Sequence, residues 1–479
     1  MSDKTEKRKI NSSFWEIAIL IVLTAALIIM FWQYCLIKNH GNYSGLPLLD
    51  AMHNNFPEYS ETVSEKKSAF LTPSFVGILA DGQRRMPTDS ETRNALIKDV
   101  RPYVLAVLSG TASAPQFSSE AAKEAYLERE LYGSDSAVYL AFSDEIPAAA
   151  IYPLLTGKSF GSDSLTYSIR ELFLFCSDGG ALSGAALDCD GTLTVLSVSE
   201  RTSLSFDVFS AYLGSESMTN FSFARFENRS RRYPVADTTV TYPNLSAYTA
   251  DGDFLSQNSK ASENVLKSFT FNPNGTRYYV TRSRYITYVE DMGELRLSSD
   301  GGITFEGADK SGIPLSSLCE RKTVTGSFED KICAAYTVLR GLNSAYYGGC
   351  ADFCLTSVSY RDGKLTLIFS YAANGIIIEE ARAAAELVFS RDALVSARVL
   401  CRTYAYDETA FGDIPGRLLF AVTAADEAAN GSYPVAFLPI YTKDDETVYK
   451  ARYAFTLNRA ESEEAAQNGG QDAKGGKAS

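Results

Sequence analysis

The chain has 479 residues and a formal net charge of −13, and 45% of it is hydrophobic and 12% aromatic. That is enough apolar matter for roughly two or three ordinary cores, so a linker or a wholly disordered chain is excluded. Apart from a short basic N-terminus the chain is acidic, a poor electrostatic fit to phosphate polymers, and nucleic acid is not an expected partner.

Lys4, Lys7, Arg8 and Lys9 precede an uncharged run from Ile17 to Ile37 that holds neither proline nor glycine. A bilayer core needs about 20 apolar residues in one helix, so the expectation is a cytoplasmic tail over 1–13 and a single transmembrane helix over 14–37. Trp15 and Trp32, the only tryptophans, sit near its ends as interface anchors. Only Lys38 follows closely, so the positive-inside bias leaves the N-terminus in the cytoplasm and the bulk outside. A cleaved signal peptide is the rival, but the run exceeds an ordinary h-region and Asn42-Tyr43-Ser44-Gly45 is a poor cleavage site. Cys35, preceded by bulky Gln33 and Tyr34, is no lipid-attachment cysteine. Ala18 and Ala25 share a helix face with Thr24 nearby, which offers a partner helix a close approach; the blander reading is that they meet lipid.

A polar, irregular stretch over 38–68, with Gly41, Gly45, Pro47 and Pro57, reads as a stalk. An N-terminal α+β domain is expected over 69–228. It starts with a strand, Phe75 to Ala80, closed by the turn Asp81-Gly82, and a helix from Asp89 to Leu108 in which Pro102 marks a kink or a break. A second helix, Ser118 to Leu131, and a strand, Val138 to Pro147, lead to a meander of three strands between Ser164 and Ser199. A helix from Thr202 to Leu213 completes the domain. Tyr233-Pro234 and Tyr242-Pro243 suggest an extended connector over Arg229 to Thr249.

A β-rich middle domain is expected over 229–310, with Val265 to Glu306 as its β-rich unit and short aromatic strands spaced by Asn274-Gly275, Met292-Gly293 and Asp300-Gly301-Gly302. Over 311–459 the chain reads as a C-terminal α+β domain. Ile313 to Leu342 forms one or two helices, and strands follow at Phe353–Tyr360, Leu365–Ala372, Ala385–Phe389 and Leu394–Tyr406, then a helix over Asp413–Ala429 and a last strand pair, Tyr433–Tyr441 with Val448–Leu457. The tail over 460–479, rich in Ala, Glu, Gly, Lys and Gln, is expected to be disordered. The fold class is therefore α+β: one membrane helix, then two to three extracytoplasmic domains of antiparallel sheet with packed helices.

Chemistry is sparse. Asp188-Cys189-Asp190-Gly191-Thr192 matches the Asp-x-Asp-Gly-Thr nucleophile signature of haloacid-dehalogenase-type phosphatases, whose first carboxylate attacks phosphorus while magnesium shields charge. That motif ends a parallel strand, whereas here the chain continues into another strand, as a hairpin turn does. Leu193 and Ser199 also stand where a calcium loop needs glycine and glutamate. Ser64-Glu65-Lys66-Lys67 fits the Ser-x-x-Lys of penicillin-recognising enzymes, but the companion Lys-Thr-Gly is missing. His40 and His53, the only histidines, lie beside the predicted membrane span and support neither a triad nor a zinc site. Seven cysteines follow the span, Cys176, Cys189, Cys319, Cys333, Cys350, Cys354 and Cys401, an odd number without regular spacing and so no disulfide framework. No catalytic, cofactor or metal residue is assigned.

One family resemblance stands out. The N-terminal span, Val138 to Pro147 with its Phe-x-x-x-Ile-Pro ending, Tyr233-Pro234, and Phe269-Thr270-Phe271-Asn272-Pro273-Asn274 leading into Tyr285 to Glu306 together resemble the YycH family, regulators of the YycFG (WalRK) cell-wall two-component system. Tyr371-Ala372-Ala373-Asn374-Gly375-Ile376 and the strand from Leu394 look like the part shared with its sister protein YycI. The tail after Arg459 and a closing strand without tryptophan depart from that pattern. The resemblance implies a non-enzymatic, membrane-anchored regulator whose partners are a sensor histidine kinase and a YycI-like single-span protein. The competing classes are an extracytoplasmic ligand-binding sensor and a cell-envelope hydrolase.

Overall fold

The first strand of the structure, a computed structural model, is as apolar as its place requires. β1 (Phe75–Ala80) lies inside a sheet, between β2 (Gln83–Pro87) and β4 (Ser136–Pro147), and all but its last residue are buried. A strand covered on both faces reads as a continuous apolar run. The β1–β2 turn is Asp81-Gly82, both at positive φ (53° and 70°), the geometry a two-residue hairpin selects Asp-Gly for. The structure describes residues 71–456 apart from 152–166, 177–181, 199–205, 226–231, 250–259, 415–435 and shorter gaps. All of the described residues belong to one compact unit.

Among them the protein is mostly β, arranged as two large sheets with helices packed on them. The first sheet adds β3 (Thr111–Ser113), β5 (Ser168–Cys176), β6 (Leu182–Leu187), β7 (Leu193–Ser197), β8 (Met218–Arg225) and β9 (Arg232–Ala236), in the order β3-β7-β6-β5-β4-β1-β2-β8-β9. The predicted meander is β5-β6-β7. Helix α1 (Ser90–Leu108) starts at Asp89, whose carboxylate accepts the Thr92 N–H at 2.8 Å. It runs unbroken through Pro102, because Leu96, Val100, Tyr103, Val104 and Val107 bury its face on both sides of the missing N–H. α2 (Glu120–Tyr126) continues as a π-helical turn over Leu127–Tyr132, and α3 (Asp207–Leu213) is the described part of the helix expected from Thr202.

Arg229 to Thr249 is not a connector. Tyr233-Pro234 lies in β9 and Tyr242-Pro243 in β10 (Val240–Thr249), where the chain passes from the first sheet to the second. Proline survives in both for positional reasons: β9 is an edge strand, and Pro243 sits at the bulge where β10 pairs with β21 (Arg402–Ile414).

The stretch from Val265 likewise opens on a helix, α4 (Lys260–Ser268), not a strand, with Val265, Leu266 and Phe269 buried together. Strands β11 (Arg277–Thr281), β12 (Tyr285–Glu290), β13 (Gly293–Ser298) and β14 (Gly302–Gly307) follow as an antiparallel meander. After β15 (Ile313–Pro314), α5 (Leu315–Leu318) and α6 (Phe328–Tyr346), the chain adds β16 (Ala351–Arg361), β17 (Lys364–Ala373), β18 (Ile376–Ile378), β19 (Ala385–Ser390) and β20 (Ala393–Leu400). The predicted strand Leu394 to Tyr406 is two strands, divided at Cys401. Asp413 and Ile414, expected to open a helix, end β21 instead; 415–429 lies outside the described residues. β22 (Ala436–Lys443) and β23 (Val448–Thr456) close the second sheet, ordered β11-β12-β13-β14-β20-β19-β17-β18-β22-β23-β10-β21, with β15 on β20 and β16 on β17. Its one parallel pair among the described strands is β18 with β22.

Candidate functional site

The residues singled out in the N-terminal span, Trp15, Ala18, Thr24, Ala25 and Trp32, lie outside the described residues, as do Cys35, His40, His53, Ser64 to Lys67 and 460–479. No helix of the described residues is long and apolar enough to cross a membrane. The Asp188 motif is described, and it is a turn. Asp188 Oδ1 accepts the N–H groups of Asp190 (2.9 Å) and Thr192 (2.7 Å), and Gly191 has φ +75°. A carboxylate oxygen committed to two backbone donors is holding a loop, not presenting a nucleophile.

The cysteines are spread through the fold. Cys354 donates to the Thr72 carbonyl at 3.6 Å and Cys350 to that of Tyr404 at 3.4 Å, so this pair, four positions apart, serves different neighbours. Burial pushes both thiols up to about 11, which leaves them protonated at neutral pH and poor nucleophiles. Cys319 and Cys401 are buried, and Cys189 and Cys333 are half-buried; all of them are free thiols. No group of three or more His, Cys, Asp or Glu among the described residues is placed to hold a metal ion.

What the fold does bring together is the seam between the two sheets. β16 packs beside β4, and β22 beside β9. Arg93 projects from the first turn of α1 into this seam and is almost fully buried. Its guanidinium donates to the carbonyl of Pro73 and reaches that of Gly375, in the turn between β17 and β18, at 3.5 Å. Tyr242 of β10 and Cys354 of β16 interact with it electrostatically, and no carboxylate among the described residues pairs with it. Burial draws Arg93 down to about 10, still protonated at neutral pH, so among the described residues a full charge rests on carbonyl dipoles and on Tyr242 and Cys354. Gly375 has φ +70°, and a Cβ there would overlap the guanidinium. One glycine thus meets a backbone need and a steric one together.

A second polar cluster locks the C-terminal strands. Glu380, just past β18, accepts on one carboxylate oxygen from the hydroxyls of Tyr404 (β21) and Tyr449 (β23, 2.7 Å) and from Arg402 (3.2 Å). Tyr371 of β17 donates to the Leu400 carbonyl at 2.7 Å and stacks on Phe353 of β16 with ring centroids 4.9 Å apart. Burial and the adjoining Glu380 carboxylate hold the Tyr404 and Tyr449 hydroxyls well above the ordinary phenol value. These groups stay protonated and donate hydrogen bonds; the cluster is built to join strands. Sequence inspection missed Arg93, Glu380 and Tyr404, for none belongs to a motif and their partners are hundreds or tens of positions away.

No protein-family model and no curated protein matches the sequence. Among solved structures, the crystal structure of YycH from Bacillus subtilis is similar, with a TM-score of 0.54 over 82% of this chain and 95% of that one, at 13% identity. The chain has the YycH fold. At that identity the likeness is one of fold. The segments that resemble the YycH family in sequence are structural parts of it: Val138 to Pro147 lies in β4 and Tyr233-Pro234 in β9, while Phe269 and Phe271 are core residues ahead of β11.

Proposed function

We propose that the protein is a membrane-anchored, extracytoplasmic regulator that binds and modulates the sensor histidine kinase of a cell-wall-responsive two-component system. The observation that carries this reading is the YycH fold, shared along 82% of this chain and nearly the whole of the other. The apolar run Ile17 to Ile37 agrees with it, since one crossing with a basic N-terminal flank leaves both sheets outside the cytoplasm. A seam closed by a buried cation and carbonyl dipoles suits a rigid body that presents surfaces, and the high-pKa thiols and turn-bound Asp188 supply no nucleophile for a hydrolase.

In this reading the span acts both as tether and as contact. Confinement to one membrane raises the effective concentration of weakly binding partners, and the Ala18, Thr24 and Ala25 face admits a close helix neighbour. Trp15 and Trp32 fix its depth. The part over 311–459 takes the YycI-like role, with a second single-span protein of YycI type as its companion. Co-purification of the kinase with the full chain from membranes tests the reading. Wild type retains the kinase, and replacing Ile17 to Ile37 by an unrelated span, or introducing Ala18→Leu with Ala25→Leu, weakens retention severalfold. No kinase recovered with wild type refutes the regulator. Undiminished recovery with both variants refutes the helix contact and leaves the span an anchor.

A further inference from the structure

The free edges of the two sheets are protected unequally. In the first sheet β3 is only three residues long, and β9 carries Arg232 and Pro234 and lies beside β22. In the second sheet β21 holds Asp407 and Asp413 and pairs across a bulge at Pro243/Asn244, and β16 is bulged between Leu355 and Ser357 and packs beside β4. Short length, charge, proline, bulges and cover are the devices by which edge strands avoid pairing with other chains.

Of these devices β11 has only a single charge, Arg277 at its first position, and among the described residues no proline, bulge or covering strand. Its five residues, Arg277-Tyr278-Tyr279-Val280-Thr281, pair with β12 in unbroken register, and among the described residues nothing pairs with its outer side. Tyr278, Tyr279 and Val280 are 47%, 47% and 51% exposed, and Tyr285 across the hairpin is 40% exposed. Half of the large hydrophobic side chains that stand exposed among the described residues are therefore gathered on this one ribbon. Neighbouring positions on a strand point to opposite faces, so with Tyr278 and Tyr279 both exposed β11 is open on both faces, whereas Ile286, Thr287 and Tyr288 of β12 are buried.

We infer that β11 is a pairing edge for a second copy of this chain, the two strands joining antiparallel about a two-fold axis at Tyr279. That register is the one that pairs all five residues. It sets Tyr278 against Val280 on one face, an aromatic against a β-branched side chain, which is a favourable cross-strand match. On the other face Tyr279 meets its own copy, and Arg277 falls opposite position 281, so the strand's sole charge never faces its like. The contact is self-complementary, as a two-fold interface must be, and joins two second sheets edge to edge. Five residues a side fall short of the area of a permanent dimer, so the pairing is reversible and depends on concentration, which a shared membrane would raise.

The test uses the full chain in membranes. Tyr279→Cys, treated with a short thiol-to-thiol cross-linker, gives about tenfold more covalent dimer than wild type or than Tyr360→Cys, because a paired strand holds the two thiols at high effective concentration. Tyr360 is the matched control, an exposed aromatic on the bulged edge β16. Adding Val280→Lys to Tyr279→Cys returns the yield to background while the melting temperature stays that of wild type. Equal yields from Tyr279→Cys and Tyr360→Cys overturn the inference. So does a yield that Val280→Lys leaves unchanged, or a full chain that sediments as a monomer at every concentration while β11 captures a different protein.

Discussion

Replacing Gly375 by alanine reaches two costs that a double-mutant cycle separates. Alanine at φ +70° costs about 1–2 kcal/mol for the left-handed backbone alone. Its Cβ would also overlap the Arg93 guanidinium and drive a buried cation off the carbonyls of Pro73 and Gly375. Hydrogen bonds made by a charged group contribute about 1.5–3 kcal/mol, so Gly375→Ala is expected to lose about 2.5–5 kcal/mol in total. Arg93→Met removes a charge that has no carboxylate partner among the described residues and keeps most of the volume, but it leaves the Pro73 and Gly375 carbonyls without this donor and costs about 1–3 kcal/mol. In that background Gly375→Ala should cost only the backbone share, which leaves a coupling of about 1.5–3 kcal/mol between the two sites. Urea unfolding of the four proteins measures it as a shift in midpoint at constant slope. If Gly375→Ala costs the same with arginine and with methionine at position 93, the guanidinium does not lean on that turn, and this account of the seam is wrong.

Three further outcomes follow from the same geometry. Tyr449→Phe loses the hydrogen bond its hydroxyl donates to Glu380 and the long one it accepts from Arg402, about 1–2 kcal/mol, whereas Glu380→Ala removes the shared acceptor of Arg402 and two tyrosine hydroxyls and costs about 3 kcal/mol or more; chemical denaturation ranks them. Asp188→Ala lowers stability by about 1 kcal/mol, and Asp190→Ala, whose backbone but not side chain serves the turn, by less than about 0.5 kcal/mol; a phosphatase would lose activity with either, a turn only stability. Stability should also fall between pH 9 and 11. In that window the unfolded chain releases the Cys354 proton while the folded chain, its thiol held up to about 11 by burial, keeps it, so the native state binds more protons and loses ground as pH rises. Cys354→Ala flattens the slope by up to one proton, about 1.4 kcal/mol per pH unit, in denaturation series across that range, and an unchanged slope would place the thiol in a more polar setting.

The first sheet was largely legible in the sequence because its signals are local. Asp81-Gly82 takes the paired positive φ of a hairpin turn, and the β5-β6-β7 meander lies where its turn residues put it. The misreadings share a cause. Tyr233-Pro234 and Tyr242-Pro243 looked like breaks since proline is disfavoured in strands, yet an edge and a bulge accept it, and neither is visible until the partner strand is known. Val265 looked like the start of a β-rich unit, although Leu266 and Phe269 follow it at helical spacing and the stretch opens on a helix. The seam was illegible for a stronger reason. Arg93 and Gly375 are separated by 282 positions, and nothing near either one marks it as buried beside the other. The Asp188 motif shows the converse, a sharp local signal whose chemistry vanishes once Asp188 Oδ1 is seen to accept Asp190 and Thr192.

The place of β10 in the second sheet has a consequence for how the protein is made. β10 lies between β23 and β21, the last and the third-last of the described strands. A polypeptide that emerges N-terminus first must carry β10 for roughly 150 residues before its nearer partner exists, about 8–30 s at 5–20 residues per second. Throughout that interval Leu245 and Ala247, buried in the finished sheet, stand exposed beside unpaired backbone groups. The end of the chain is thus the last stone of the arch. A nascent or truncated chain that stops short of β23 leaves a sticky strand open for as long as its partners are missing.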